Sequence, residues 1–368
     1  MKYIDEFRNI RLADKISGLI HEEAEGLKPV KFMEVCGTHT MAVERFGIRK
    51  TLPENIHLIS GPGCPVCVTP KNYIDKAIAL TTLEDVIVFS FGDMLKVPGS
   101  NSNLLKQKSK VRMVYSALDA VEFAEKNPDK RIVFLGIGFE TTAPTVGASI
   151  KYAKKKRLKN FFVYSGHKIM PPAMKLLAKD ELINIKGFLC PAHVSAIIGL
   201  KPYAEISRKY NIACVISGFE PLDILQSILM LIRQVKFKNP KVENQYNRVV
   251  KASGNKEALR LIDEVFSVKD SEWRGIGNIQ KSGLGLSKRY AEFDVEKNIE
   301  LPEVKTKIDK GCICGSVLKG IKIPTDCSLF SKKCNPENPQ GACMVSSEGT
   351  CAAYYRYPAP QGYGAGRK

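Results

Sequence analysis

One tryptophan and five histidines serve a chain of 368 residues, and nothing in it is apolar for long. The longest apolar-plus-glycine run spans residues 132–139 (IVFLGIGF), far short of the ~20 residues that a membrane-spanning helix needs. A helical membrane protein is thereby excluded. Residues 1–20 contain acidic side chains throughout and lack an apolar core and a small-residue cleavage site, so no export signal is expected. A soluble, cytoplasmic protein is the resulting expectation. Low-complexity tracts are absent too: 44% of the residues are hydrophobic and 26% charged, with Gly at 28 and Pro at 20, which excludes collagen, coiled coil and wholesale disorder.

Two things are abundant. Lys and Arg number 56 against 38 Asp and Glu, a net charge of +18, which favours acidic partners or anionic ligands without selecting among them. The chain also holds 11 cysteines. In a reducing compartment such a number points to metal ligands or redox thiols before structural disulfides.

Short β-rich apolar runs recur at near-even intervals: residues 31–35 (KFMEV), 57–60 (HLIS), 85–90 (DVIVFS) and 111–116 (VRMVYS), then 131–136 (RIVFLG), 161–165 (FFVYS), 187–190 (GFLC) and 213–217 (ACVIS). Helix-compatible stretches lie between them, among them residues 72–80, 117–126 and 172–179. That alternation is the pattern of βα units building buried parallel sheets. The expected fold class is α/β. Two lobes are expected, each with a four-stranded parallel sheet: residues 1–118 with CGTHT and GPGCPVC, and 119–235 with GFETT, PAHVS and SGFEP. After residue 218 helices are expected over 222–235 and 244–266, and residues 236–368 should form a helical, then irregular, Cys-rich domain. From residue 311 the chain is too poor in apolar surface to fold unaided. Its Gly- and Pro-rich end, residues 358–368, is given no function. The basic run at 151–159 (KYAKKKRLK) reads as a solvated helix face, because no nucleic-acid module accompanies it.

Chemistry concentrates at strand ends. Cys36, Thr38, His39 and Thr40 (CGTHT) follow the first run directly, at the carboxyl edge where open α/β sheets bind ligands. A thiol there, beside a helix N-terminus, is expected to favour its thiolate; the plainer reading is a small buried hydrophobe. Cys64 and Cys67 form a C-x-x-C in the rigid loop GPGCPVC after the second run, suited to a reversible disulfide or to two ligands on one metal. With Cys36 they offer three thiols and an open position, which fits a catalytic or carrier metal better than closed structural zinc.

Six further cysteines, Cys312, Cys314, Cys327, Cys334, Cys343 and Cys351, can supply the four thiolates of an iron–sulfur cluster. Their spacings match neither ferredoxin runs nor paired C-x-x-C zinc knuckles, so cluster and zinc both stay open. Asp93, Glu140, Thr141, Thr142, His167, His193 and Glu220 sit at other strand ends, each also explicable as a cap or internal hydrogen bonder. His193, set in an apolar run, is the one most readily explained as a core histidine. Gly136 and Gly138 resemble half a phosphate loop, but the third glycine and a following Gly-Lys-Ser/Thr are missing.

Taken together, MEVCGTHT, GPGCPVC, FGDMLKVPGS, GFETTAPT, PAHVSAIIG, SGFEPLDIL, WRGIGNIQKSGL and CMVSSEGTCAAYY resemble the HypD family of hydrogenase maturation factors over nearly the whole length. The resemblance implies a part in building the Fe(CN)2CO unit of [NiFe]-hydrogenases: holding iron together with the chaperone HypC while cyanide from HypE and carbon monoxide are installed, before transfer to the large subunit. It implies Cys36 as a thiolate on that iron and Cys64 and Cys67 as a redox or iron-binding pair. Cys327, Cys334 and Cys351 are then expected cluster ligands, the fourth being Cys343, Cys314 or Cys312, and a thiol–disulfide relay from cluster to iron would run through the C-x-x-C pair. In this setting Thr38, His39 and Thr40 can donate hydrogen bonds to bound cyanide, and Glu140 or His193 can shuttle protons. Other readings are a ferredoxin-linked thiol–disulfide reductase, which leaves open whether the chain is an enzyme, and a zinc-stabilised basic nucleic-acid protein, which the sequence favours least.

Overall fold

A computed structural model describes residues 5–307 and 311–358; the rest of the C-terminal end, residues 359–368, lies outside them. The described residues form eleven strands: β1 (Val30–Glu34), β2 (Ile56–Ser60), β3 (Val86–Ser90), β4 (Val111–Met113), β5 (Arg131–Gly136), β6 (Phe161–Ser165), β7 (Gly187–Pro191), β8 (Ala213–Ser217), β9 (Val242–Asn244), β10 (Phe266–Trp273) and β11 (Gly277–Leu286). The first nine build two parallel sheets, one of five strands in the order β2-β1-β7-β8-β9 and one of four in the order β4-β3-β5-β6. The expected α/β architecture of parallel sheets flanked by helices is what the chain adopts.

The strands are shared out differently from the expectation. β3 and β4 pair with β5 and β6, while β7 and β8 join β1 and β2. The chain thus begins in the larger sheet, builds the smaller one entirely and returns. Even spacing of βα units reports that strands alternate with helices and is silent on which strands become neighbours. Beyond β8, a helix over 244–266 does not form. Instead β9 closes the sheet edge, and the helix Lys256–Val265 starts only at Asn255, whose side chain accepts from Ala258 N at its N-terminus. The antiparallel hairpin β10–β11 follows. Its charged and glycine-rich strands, with a bulge between Lys269 and Ser271, hide the period-2 alternation that marks a strand.

Buried residues alternate faces as the pleat requires. In β5, Val133 and Leu135 enter a core shared by both sheets, whereas Ile132 and Phe134 pack under the helices Ala117–Lys126 and Ala143–Lys155 on the outer face. The larger sheet's outer face, with Phe32, Leu189 and Val215, is covered by the helices Ile10–Ala24 and Pro221–Lys236. The shared core also holds Cys64, Cys67, Trp273, Cys314 and Cys343, so the C-terminal cysteine segment is packed onto the sheets at their common centre. The basic run lies on the helix Ala143–Lys155 and just past it, where Lys151, Lys154, Lys156 and Lys159 are matched by Glu264, Glu292 and Glu125. Among the described residues no helix is long and apolar enough to cross a membrane.

Candidate functional site

In each sheet the chain reverses its direction of winding once: between β1 and β7 in the larger, between β3 and β5 in the smaller. Crevices at the carboxyl ends of such strand pairs are the ligand sites of open α/β sheets. Cys36, His39 and His193 belong to the first crevice, and Asp93 and Glu140 to the second.

At the first, Cys36 leaves β1 in an extended conformation and caps the helix Gly37–Arg45. The GPGC loop backs directly onto it. Gly37 N–H donates to the Gly63 carbonyl at 3.0 Å, and a Cβ on Gly63 would lie 2.3 Å from Cys36 N, so only glycine permits this approach. Amides of Thr38 and His39 point at the Cys36 sulfur and favour its thiolate, as expected of a helix start. Burial and the nearby Glu348 carboxylate outweigh them, and the thiol is pushed up to about 12. The free protein therefore holds Cys36 as a thiol, against the sequence expectation.

The polar neighbours of Cys36 are committed to the protein. Thr38 donates to Glu348 Oε1 at 2.6 Å, and Thr40 to the Cys36 carbonyl at 3.4 Å. His39 is fully buried and its Nε2–H lies 3.1 and 3.0 Å from the carbonyls of Ser217 and Gly218 at the end of β8. Burial depresses this imidazole to about 4, so it is neutral, with Nδ1 buried and unpartnered. In this geometry the three side chains anchor the loop, and the Thr38 side chain also lies against the Cys36 sulfur. His193, far from being a core residue, is exposed and packs 4.2 Å from the ring of Phe219, which also lies 4.9 Å from His39. Partial desolvation lowers the His193 pKa and Glu348 opposes that.

At the second crevice, Asp93 accepts a hydrogen bond from the Ser346 hydroxyl at 2.7 Å. Glu140 is buried, with Oε1 accepting from Met170 N at 3.0 Å and Oε2 unpartnered; burial raises its carboxyl to about 7. Thr141 and Thr142 are half-buried on the same turn, and Thr142 donates to the Phe139 carbonyl at 3.3 Å. The two expected proton carriers are thus parted, His193 with Cys36 and Glu140 at the other sheet. Ser346 and Glu348 tie the crevices together, one strap of chain reaching both Asp93 and Thr38.

That strap lies between Cys343 and Cys351. All six C-terminal cysteines line one cavity, together with apolar Ile313, Val317, Leu329 and Phe330. Glycine again makes room: a Cβ on Gly341 would come within 2.8 Å of Cys312 Sγ. Gln340 N–H donates to Cys334 Sγ at 3.3 Å. The C-x-x-C reaches this cavity from the sheet side. Cys67 N–H donates to Cys64 Sγ at 3.4 Å, while the Cys67 thiol contacts Cys343 and is raised by burial first, then by Cys343 and Cys64. Among the described residues no three His, Cys, Asp or Glu side chains are gathered round one ion-sized point. Cys36, Cys64 and Cys67 are accordingly not assembled as one three-thiol site in this structure. In a cubane cluster each thiolate binds a different iron, so its ligands need no such convergence.

A family model for HypD, described as "Hydrogenase formation hypA family", matches residues 11–358. The chain belongs to the HypD family. It is 46% identical over 368 residues to hydrogenase maturation factor HypD2 of Bradyrhizobium diazoefficiens, covering 97% of each chain, and 45% identical to hydrogenase maturation factor HypD of Cupriavidus necator with the same coverage. A putative hydrogenase expression/formation protein of Methanocaldococcus jannaschii is 46% identical over 349 residues, 94% of this chain and 97% of that one. The resemblance read from the eight sequence blocks is therefore a family membership, and a hydrogenase maturation role implies partner proteins in that pathway. Sequence reasoning missed Glu348, Ser346 and Phe219. Glu348 stood in the quoted block CMVSSEGTCAAYY as the one acid between two cysteines, a signal that the fold turns into a neighbour of Cys36.

Proposed function

We propose that this chain is the iron-holding scaffold of [NiFe]-hydrogenase maturation: Cys36, with a cysteine of HypC, binds the iron that becomes Fe(CN)2CO, and HypE delivers the cyanide. The observation that carries the reading is the placement of Cys36 at the β1/β7 crevice, backed by the C-x-x-C loop. Cyanide and carbon monoxide favour low-spin Fe(II), and a soft thiolate suits that iron while leaving positions open. The Cys36 thiol gives up its proton as iron binds. Exposed His193, which shares Glu348 with this crevice, is placed to take that proton.

The second element of the proposal is a [4Fe-4S] cluster in the six-thiol cavity, with Cys327, Cys334 and Cys351 as ligands and Cys343, Cys314 or Cys312 as the fourth. The donor set fits: soft sulfurs in excess of four, an apolar wall, and a backbone amide directed at Cys334. When bound, such a cluster supplies electrons one at a time. Cys67 against Cys343 sets the redox-capable C-x-x-C beside the same cavity, and that contact is also what favours the alternative of a thiol–disulfide reductase.

The test is anaerobic purification with HypC, infrared spectroscopy in the region of metal-bound cyanide and carbonyl, and iron and sulfide counting on the same sample. Cyanide and carbonyl bands that vanish in Cys36→Ala are expected. A sample with cluster iron but no such bands, turning over a disulfide substrate without HypC, would instead establish the reductase.

A further inference from the structure

Residues 344–350 run between two thiols of the cavity, Cys343 and Cys351, yet their polar side chains are directed at the two crevices. Ser346 is buried and its hydroxyl donates to Asp93 Oδ2 at 2.7 Å. Glu348 accepts from Thr38 at 2.6 Å, and its Cβ would lie 2.6 Å from a Cβ on Gly37, the residue that follows Cys36. The start of the Cys36 helix is thereby enclosed on two sides, by the GPGC loop on one and by this strap on the other. Cys36 is only 7% exposed as a result. Both ends of the strap return to the cavity. Gly349 closes on Cys343, where an added Cβ would meet the Cys343 carbonyl oxygen at 2.2 Å. Cys351 sits in the helix Thr350–Arg356, which packs on the helix Gly37–Arg45 that Cys36 caps.

We propose that the strap 344–350 is a cover on the Cys36 thiol, held shut by the iron–sulfur group that fills the six-thiol cavity, so that access to Cys36 follows the state of the cavity. The inference deepens the scaffold reading and rests on the cluster reading of the cavity. Its physical ground is a balance of small terms. A side-chain hydrogen bond contributes little net, because its groups bond to water when it breaks. Ordering each residue of an irregular segment costs as much as one such bond returns, so two ties do not hold seven residues. The strap's own support is slight: Met344 joins Cys334 and Ala352 in a small core, and Val345 packs only half-buried against the shared one. Cluster ligands drawn from Cys334, Cys343 and Cys351 bracket the strap, and a bound cluster fixes those ends beforehand. With the cavity empty that constraint is lost, and Ser346 and Glu348 release Asp93 and Thr38.

The test uses the full chain purified anaerobically without HypC, either carrying its cluster or stripped of it by a chelator under reducing conditions. Iron and sulfide are counted and circular dichroism is recorded on every sample. Each sample is treated with N-ethylmaleimide, and modification of the peptide containing Cys36 is followed by mass spectrometry. Wild-type Cys36 is expected to react about tenfold faster in the stripped protein, a ratio within the range of coupled sites. The double variant Ser346→Ala/Glu348→Ala severs both ties, so its loaded form should already be fast and the ratio should fall toward one. Glu348→Gln keeps an acceptor for Thr38 without the charge and should retain the wild-type ratio, which separates a mechanical cover from an electrostatic effect on the thiol. Loaded and stripped wild type reacting at one rate overturns the inference while leaving the cluster reading intact. So does a double variant that keeps the wild-type ratio, or a Gln variant that loses it. Wild-type protein with neither iron nor sulfide overturns the cluster reading and the inference with it.

Discussion

Glu140 shows how much a single buried carboxyl can say. Its carboxyl is raised to about 7 by burial, so the folded state binds a proton more tightly than the unfolded chain does. Stability from this group is complete below its unfolded pKa near 4.5 and declines as pH rises through 7. The loss is on the order of 3 kcal/mol at high pH. Glu140→Gln, which keeps the acceptor for Met170 N, should therefore unfold at higher urea than wild type at pH 8 and at nearly the same urea at pH 4.5. Glu34, fully buried at the end of β1, accepts from Arg49 Nη2 at 3.0 Å and Ser60 Oγ at 2.7 Å, and burial raises its pKa despite Arg49. Arg49→Met removes the opposing charge. Denaturation should show a loss of about 3–5 kcal/mol, larger at pH 8 than at pH 5 and largely recovered in the double variant with Glu34→Gln. Sequence reading singled out Cys36, Cys64 and Cys67 because thiols announce their chemistry. It could not find Glu348, since an acid gains meaning only when the fold sets it against a thiol more than three hundred residues earlier.

At the scale of elements, the contact of the CGTHT and GPGC loops rests on glycine. Gly63→Ala puts a methyl group into the Cys36 backbone, which should cost about 1–3 kcal/mol and pull Cys36 out of place. A faster reaction of Cys36 with iodoacetamide in the metal-free variant than in wild type checks that displacement, because exposure lowers a thiol pKa that burial had raised. The strands β5, β6 and β8 were legible to the residue, since fully buried strands are unbroken apolar runs bounded by turn signals. The hairpin was not. Half its positions face solvent and a bulge interrupts its alternation.

For the whole molecule, the segment 311–358 has a small core of its own, Cys334, Met344 and Ala352, beside its packing on the sheets. Metal ligation in the six-thiol cavity would contribute the missing stability. Iron removal under reducing conditions should open this segment to limited proteolysis while the two sheets stay protected; uniform protection with and without iron would count against a structural role for the metal. Net charge +18 was plain in the composition, but its distribution was not, because the densest basic run turned out to be matched by carboxylates of other elements. The sheet order has a consequence for synthesis. β1 emerges from the ribosome with β2 alone beside it, and its other neighbour, β7, is made only after the entire smaller sheet. A nascent chain arrested before residue 187 would hold Cys36 at the raw edge of a two-stranded ribbon, with Phe219 and Glu348 still untranslated. The loop that carries Cys36 is thus among the first segments to be made and among the last to be completed.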